Sequence, residues 1–250
     1  MTEPVLVAEG LNKNFGAVTA ARDINIAIPK GAVWSLIGTN GAGKTTFVNM
    51  VTGYTKPDQG LIFFDGKDIT NYSPRKVTRA GIRRSFQIPQ LCAELNVLEN
   101  MLLSLSINAD HPPSFWRSAK GQQENERALI VLEQFGIADY RDRLIGELPA
   151  GVRKLLDIAM AMAGSPKVML LDEPTSGVAA EEKFPIMDLV IDALRAADVT
   201  IVFVEHDMDI VTRYSERVLA FYNGGIIAND TPEELLADPD VQRYITGGPK

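Results

Sequence analysis

Two kinds of apolar pattern alternate along the 250 residues of the chain. One kind is short and nearly continuous. Ala32-Val33-Trp34-Ser35-Leu36-Ile37, Val168-Met169-Leu170-Leu171 and Val199-Thr200-Ile201-Val202-Phe203-Val204 have the unbroken apolar character that strands buried on both faces of a parallel sheet require. The other kind has helical spacing. Phe47, Met50, Val51 and Tyr54 share one helical face, as do Val97, Met101, Leu102 and Leu105, and again Ala128, Leu132 and Phe135. The opening from Val5 to Ile28 differs again. Ile24, Ile26 and Ile28 alternate, and Asn12-Lys13-Asn14 and Gly16 predict breaks between short strands. Leu61-Ile62-Phe63-Phe64 followed by Asp65-Gly66 predicts another strand and its turn. Together these patterns predict an α/β sheet core, a strand-rich start and a helical stretch from Pro89 to Gly146. Within that stretch, His111-Pro112-Pro113-Ser114-Phe115-Trp116 predicts a loop with exposed aromatics, and His111 is expected to be a solvated loop residue.

Chemistry enters at the end of the first buried run. Gly38-Thr39-Asn40-Gly41-Ala42-Gly43-Lys44-Thr45-Thr46 lies between a predicted strand and a predicted helix. In that context a glycine-rich loop ending in Gly-Lys-Thr is a phosphate cradle. Backbone N–H groups converge on phosphate oxygens, and the helix N-terminus adds partial positive charge. Lys44 is expected to reach the β- and γ-phosphates, and Thr45 to offer its hydroxyl to Mg²⁺. The pattern therefore predicts a nucleoside triphosphate site.

The other two buried runs also end in chemistry. Asp172-Glu173-Pro174 follows the second, where Asp172 is placed to hold the metal and Glu173 to polarise an attacking water. Glu205-His206-Asp207 follows the third. His206 is read as a hydrogen-bond donor to the γ-phosphate, against the plainer alternative of a satisfied surface histidine.

With these motifs in this order, the chain resembles the ATP-binding cassette (ABC) ATPases over nearly its whole length. The phosphate loop resembles Walker A, and Val168 to Glu173 resembles Walker B. Gln87, in Arg84-Ser85-Phe86-Gln87, resembles the Q-loop glutamine, which the resemblance places at the metal and water and makes a sensor of the membrane subunit. His206 resembles the switch histidine, and Phe15 the aromatic that stacks on adenine, with an ordinary core phenylalanine as its alternative. The implied metal ligands are Thr45, Gln87 and Asp172, and the implied cofactors ATP and Mg²⁺. The implied fold is a P-loop NTPase with a RecA-like core, a small antiparallel β-subdomain and an inserted α-helical subdomain. Residues 5–87 and 163–250 would form the core and β-subdomain, and residues 88–162 the helical insertion.

Within the family, Arg83 to Gln87, the helical insertion and the ending Pro239-Asp240-Val241-Gln242-Arg243 with Gly247 resemble branched-chain amino acid importer cassettes. Urea and aromatic-acid importers, a lipopolysaccharide-type exporter ATPase, soluble ribosome or nucleic-acid cassettes and a weakly hydrolysing regulatory cassette remain as alternatives. The family's signature, Leu-Ser-Gly-Gly-Gln, is here Leu148-Pro149-Ala150-Gly151-Val152. Pro149 lacks a hydroxyl and a backbone N–H, and Val152 lacks a side-chain amide. Ser176-Gly177-Val178-Ala179 likewise ends in alanine where the family usually carries a carboxylate or an amide. The resemblance thus implies pairing with a second ATPase subunit, as a heterodimer with one strong and one weak site or as a homodimer.

Charge and composition narrow the partners. A net charge of −7 disfavours nucleic acid. The single cysteine, Cys92, leaves no internal disulfide and suits a reducing compartment. Met1-Thr2-Glu3-Pro4 has no basic n-region, so no secretory signal is expected, and no apolar run approaches the roughly 18 residues of a membrane span. The resemblance therefore implies two separate transmembrane permease subunits, a periplasmic solute-binding protein, and a peripheral position on the cytoplasmic face of the bacterial inner membrane.

Overall fold

The computed structural model describes residues 3–85, 87, 89–108 and 121–247. Phe86 and the expected loop with His111, Phe115 and Trp116 lie outside the described residues. In chain order the first elements are β1 (Pro4–Phe15), β2 (Val18–Pro29), β3 (Val33–Gly38), α1 (Lys44–Val51), β4 (Gln59–Phe64), β5 (Lys67–Asp68), α2 (Pro74–Ala80) and β6 (Ile82–Ser85). There follow α3 (Val97–Asn108), α4 (Gln122–Gln134), α5 (Ala150–Met162), β7 (Val168–Asp172) and α6 (Lys183–Ala196). Then come β8 (Thr200–Val204), α7 (Met208–Tyr214), β9 (Arg217–Tyr222), β10 (Gly225–Asp230), α8 (Pro232–Ala237) and a short α9 (Pro239–Val241) that runs on into a π-helical turn, Gln242–Thr246.

The strands form two sheets. One has the order β2-β1-β4-β5 and the other β10-β9-β3-β8-β7-β6. In the first, β1 pairs antiparallel with both β2 and β4. In the second, β3 runs parallel to β8 and β9, and every residue of β3 and β8 is buried. Unbroken burial explains why those runs are continuously apolar.

The chain divides into two compact units. The first comprises the described residues of Met1–Arg83, Lys167–Leu170 and Val199–Lys250, the second those of Arg84–Pro166 and Leu171–Asp198. The expected helical segment 88–162 falls inside the second unit, which also takes in α6 and the end of β7. In that unit α3, α4, α5 and α6 pack on one another, burying Val97, Met101, Leu102, Ala128, Leu132 and Phe135 as their spacing predicts. Leu105 is only half-buried.

Two local expectations are corrected. Asn12-Lys13-Asn14 does not break the first strand, because β1 runs unbroken to Phe15 by absorbing register shifts on either side of Leu11. The Asn12 side chain stitches the irregularity: its amide donates to Gly10 O at 2.9 Å and its oxygen accepts from Asp23 N at 3.1 Å. Tyr54 is not on the α1 face. The helix ends at Val51, Thr52 caps it, and Tyr54 lies beyond, 58 % exposed.

In the first unit, α1 is seated by Phe47, fully buried with its ring centroid 5.8 Å from that of Phe221 on β9. Phe47→Ala removes that anchor and leaves a cavity, so it should cost about 3–5 kcal/mol of unfolding free energy in a denaturant titration. A loss of less than about 1 kcal/mol would contradict this packing account.

Candidate active site

In the first unit, β3 delivers the chain to the phosphate loop at Gly38. Thr39, Asn40 and Gly41 are exposed, whereas Ala42, Gly43 and Lys44 are buried. Gly43 is the N-cap of α1 at φ 109°, and a Cβ there would lie 2.6 Å from Ala20 O of β2. Only glycine fits that conformation and that approach. Behind the loop, Gly224 N donates to Ala42 O at 3.0 Å, bracing it on the β9–β10 turn. The amides of Lys44, Thr45 and Thr46 open α1 and have no acceptor within the helix, the place where a helix dipole favours an anion. Lys44 Nζ donates to Gly38 O at 2.5 Å and Thr39 O at 3.1 Å, which folds its ammonium back over the loop.

His206 follows β8, and Leu36 and Val204 are register partners in the parallel pair β3 and β8. Parallel pairing brings the ends of both strands to one sheet edge, so exposed His206 and the phosphate loop emerge together. Glu205, buried beside it, accepts from His206 N at 3.1 Å.

Phe15 ends β1 and is 53 % exposed, which excludes an ordinary core role. Its neighbours hold it out. Lys13 Nζ sits 5.5 Å from the ring centroid and donates to Asp58 Oδ1 at 2.7 Å, while Asn14 N donates to Asp58 Oδ2 at 2.7 Å. The Lys13 hydrogen bond first, and the Asn14 amide second, hold the Asp58 carboxyl below its ordinary range. A lowered carboxylate adds stability above its unfolded pKa and loses it as pH falls through the folded value. The clamp is therefore intact at neutral pH.

The second unit gathers the acidic residues with Gln87. Gln87 Nε2 donates to Glu173 Oε2 at 2.7 Å, and Arg84 Nη2 meets Asp172 Oδ2 at 2.5 Å. Two consecutive carboxylates are thus addressed by two side chains of the Gln87 segment. Glu173 has φ 47°, a left-handed conformation uncommon outside glycine. Ser176 N donates to Glu173 O at 3.0 Å within the turn that holds it there. Backbone strain of this kind is concentrated at functional sites.

The signature stretch is also in this unit. Buried Leu148 precedes Pro149, the N-cap of α5 with φ −55° and no side-chain cap, and Ala150, Gly151 and Val152 form the first turn. Their amides have no acceptor within the helix. A Cβ on Gly151 would lie 2.5 Å from Ile186 Cδ1 of α6, so any larger residue there would have to displace the end of that side chain.

Metal chemistry follows from the donor set. Among the described residues no cluster of three or more His, Cys, Asp or Glu side chains could cage an ion. Taken separately, the Asp172 carboxylate of the second unit, which faces the Arg84 guanidinium, and the exposed Thr45 hydroxyl of the first unit are each a hard oxygen donor. Magnesium suits such donors, since it is bound by one or two carboxylates with substrate phosphates and water.

Arg84, Lys154, Asp157 and the Lys13–Asp58 clamp were given no role by sequence reasoning. Lys154 and Asp157 left one signal: charged residues in the apolar face of α5, beside Leu155, Leu156 and Ile158. The clamp left none, because Lys13 and Asp58 lie 45 positions apart.

Comparison with known proteins identifies the family. The family described as ABC transporter matches residues 21–176. A relative from Methanocaldococcus jannaschii, named a probable branched-chain amino acid transport ATP-binding protein LivG, is 37 % identical over 98 % of both chains. The high-affinity branched-chain amino acid transport ATP-binding protein LivG of Escherichia coli is 32 % identical over 99 % of both. A crystal structure of an ATP-binding cassette of an ABC transporter, in its ADP conformation, superposes with a TM-score of 0.86 at 36 % identity, covering 97 % of this chain and 98 % of the other. With its phosphate loop, its paired acidic residues and its near-complete overlap with these relatives, the chain belongs to the ABC transporter family as an ATP-binding cassette.

Proposed function

We propose that this cassette hydrolyses ATP to drive uptake of branched-chain amino acids through a membrane importer. The observation that carries this reading is the hydrogen-bonded group of Gln87, Glu173, Arg84 and Asp172, in a chain that follows LivG over nearly its full length. No helix among the described residues is long and apolar enough to cross a membrane, so the permeation path belongs to other subunits. Two permease subunits and a periplasmic solute-binding protein complete the assembly, with the cassette peripheral on the cytoplasmic face of the inner membrane.

The reaction is water attack on the γ-phosphorus of ATP. Phe15 stacks on adenine, while the amides of residues 41–46 and the Lys44 ammonium hold the β- and γ-phosphates. Glu173 accepts a proton from the water as its oxygen bonds to phosphorus. The bond from that phosphorus to the β–γ bridging oxygen breaks, leaving ADP and inorganic phosphate. His206 donates a hydrogen bond to the γ-phosphate, and the Gln87 amide orients water beside Glu173. Thr45, Asp172 and Gln87 are the residues that would hold Mg²⁺, which supplies charge neutralisation at the phosphate oxygens.

In the paired state the amides opening α5 face the partner's ATP. Without a hydroxyl at Pro149 or a side-chain amide at Val152, this chain gives its partner fewer contacts, and a charge-assisted hydrogen bond is worth roughly 1.5–3 kcal/mol. The pair is therefore a heterodimer with one strong and one weak site.

Reconstitution with a partner cassette, the permease subunits and the binding protein tests both statements. Leucine, isoleucine or valine should stimulate ATP turnover, and this chain alone should turn over about tenfold more slowly than the pair, the loss expected from one missing contact. Vigorous turnover by the isolated chain, or no stimulation by any of the three solutes, contradicts the proposal.

Glu173→Gln keeps the size and hydrogen bonding of the side chain but removes the base. Its turnover should fall about 10²–10⁴-fold while ATP affinity is retained, measured by phosphate release and equilibrium binding. Turnover at the parent rate would show that Glu173 is not the base.

A further inference from the structure

Two charged side chains of α5 are buried where an amphipathic helix ordinarily carries apolar ones. Lys154 is 2 % exposed and Asp157 8 %. Both grip the main chain of the Gln87 segment. Lys154 Nζ donates to Gln87 O at 3.3 Å, and Asp157 Oδ1 accepts from Gln90 N at 3.1 Å. The helix positions are three apart, so they share one face, and the segment positions are three apart as well. Polarity is matched at each point: a cation meets a carbonyl, and a carboxylate meets an amide. Lys154 Nζ also donates to Asp172 O at 3.3 Å, at the end of β7.

Burying a lysine and a carboxylate is unfavourable unless both are well partnered, and apolar replacements of buried ions are often neutral or stabilising. A helix that only filled the core would do as well with leucine at both places. What the charges add is fixed register: the carbonyl of Gln87 and the amide of Gln90 are held at defined heights along α5.

We propose that Lys154 and Asp157 are positioning residues, a two-point clamp that holds the Gln87 segment in register with α5. The clamp keeps the Gln87 amide within reach of Glu173. Because Lys154 also holds the carbonyl of Asp172, displacement of the signature helix is transmitted to Gln87 and to the acidic pair together. The inference rests on the reading of Gln87 and Glu173 as catalytic residues, but its structural half can be tested in the absence of nucleotide.

The experiment compares the full chain with Lys154→Met, Lys154→Arg, Asp157→Ala and Asp157→Asn. Methionine keeps the stem of the lysine and removes its donors, whereas arginine and asparagine keep a donor and an acceptor. Amide hydrogen exchange without nucleotide reads the clamp directly: peptides over residues 84–92 should exchange faster in Lys154→Met and Asp157→Ala, with peptides from β1 to β3 unchanged. In the complex with the partner subunits, kcat should fall about tenfold or more in those two variants, with KM for ATP within about twofold, as is usual for a residue that orients another. Lys154→Arg and Asp157→Asn should recover most of both properties. Unchanged exchange over 84–92 in Lys154→Met and Asp157→Ala overturns the clamp. So does a loss of kcat matched by faster exchange throughout the chain, or one that neither conservative variant restores. If the parent complex itself hydrolyses no ATP, the assignment of function has failed, and the exchange comparison still decides the clamp.

Discussion

A triphosphate carries several negative charges, and a protein can hold it only where positive ends of fixed dipoles already converge. In this chain that requirement is met at the end of β3, a strand buried along its whole length and flanked by parallel partners in β8 and β9. A strand so confined cannot give way when charge arrives at its end. The loop beyond it is confined too, with Gly43 against β2 and Ala42 bonded to the β9–β10 turn. An anion bound at this loop would therefore meet amides whose reorganisation was completed on folding. Lys44 is held on the carbonyls of Gly38 and Thr39, and in the proposed site it would exchange these neutral acceptors for charged ones.

The second unit meets a different demand, which is to hold two adjacent carboxylates side by side. Arg84 offsets the charge of Asp172, and Gln87 bonds to Glu173 without neutralising it. Glu173 pays for its direction with a left-handed backbone, stabilised by the turn to Ser176. The Gln87 segment is in turn attached to α5, the helix that opens at the signature stretch. The two carboxylates, Gln87 and the signature stretch therefore all belong to one unit of the chain.

Much of this was legible in the residues alone because it is local. Continuous apolar runs identify β3, β7 and β8, and the glycine spacing before Lys44 marks the loop between β3 and α1, because both depend on neighbouring positions. The strand through Asn12 to Asn14 was not legible, since asparagine normally favours turns. Here its side chain bonds back to the ladder and carries the strand on to Phe15. The contacts of Lys154 were hidden for the opposite reason. Its partners lie 67 and 18 positions away, and no periodicity records a contact that only the fold creates. The left-handed conformation of Glu173 is likewise invisible in its residue type.

Equilibrium binding of ATP to Lys44→Ala, compared with the parent chain by calorimetry, tests the central claim most directly. Loss of the ammonium removes charge-assisted bonds worth roughly 1.5–3 kcal/mol each, so Kd should rise about tenfold for each bond lost, and about a hundredfold in all. An unchanged Kd would mean that the phosphates rest elsewhere, and that the loop between β3 and α1 is not the ATP site.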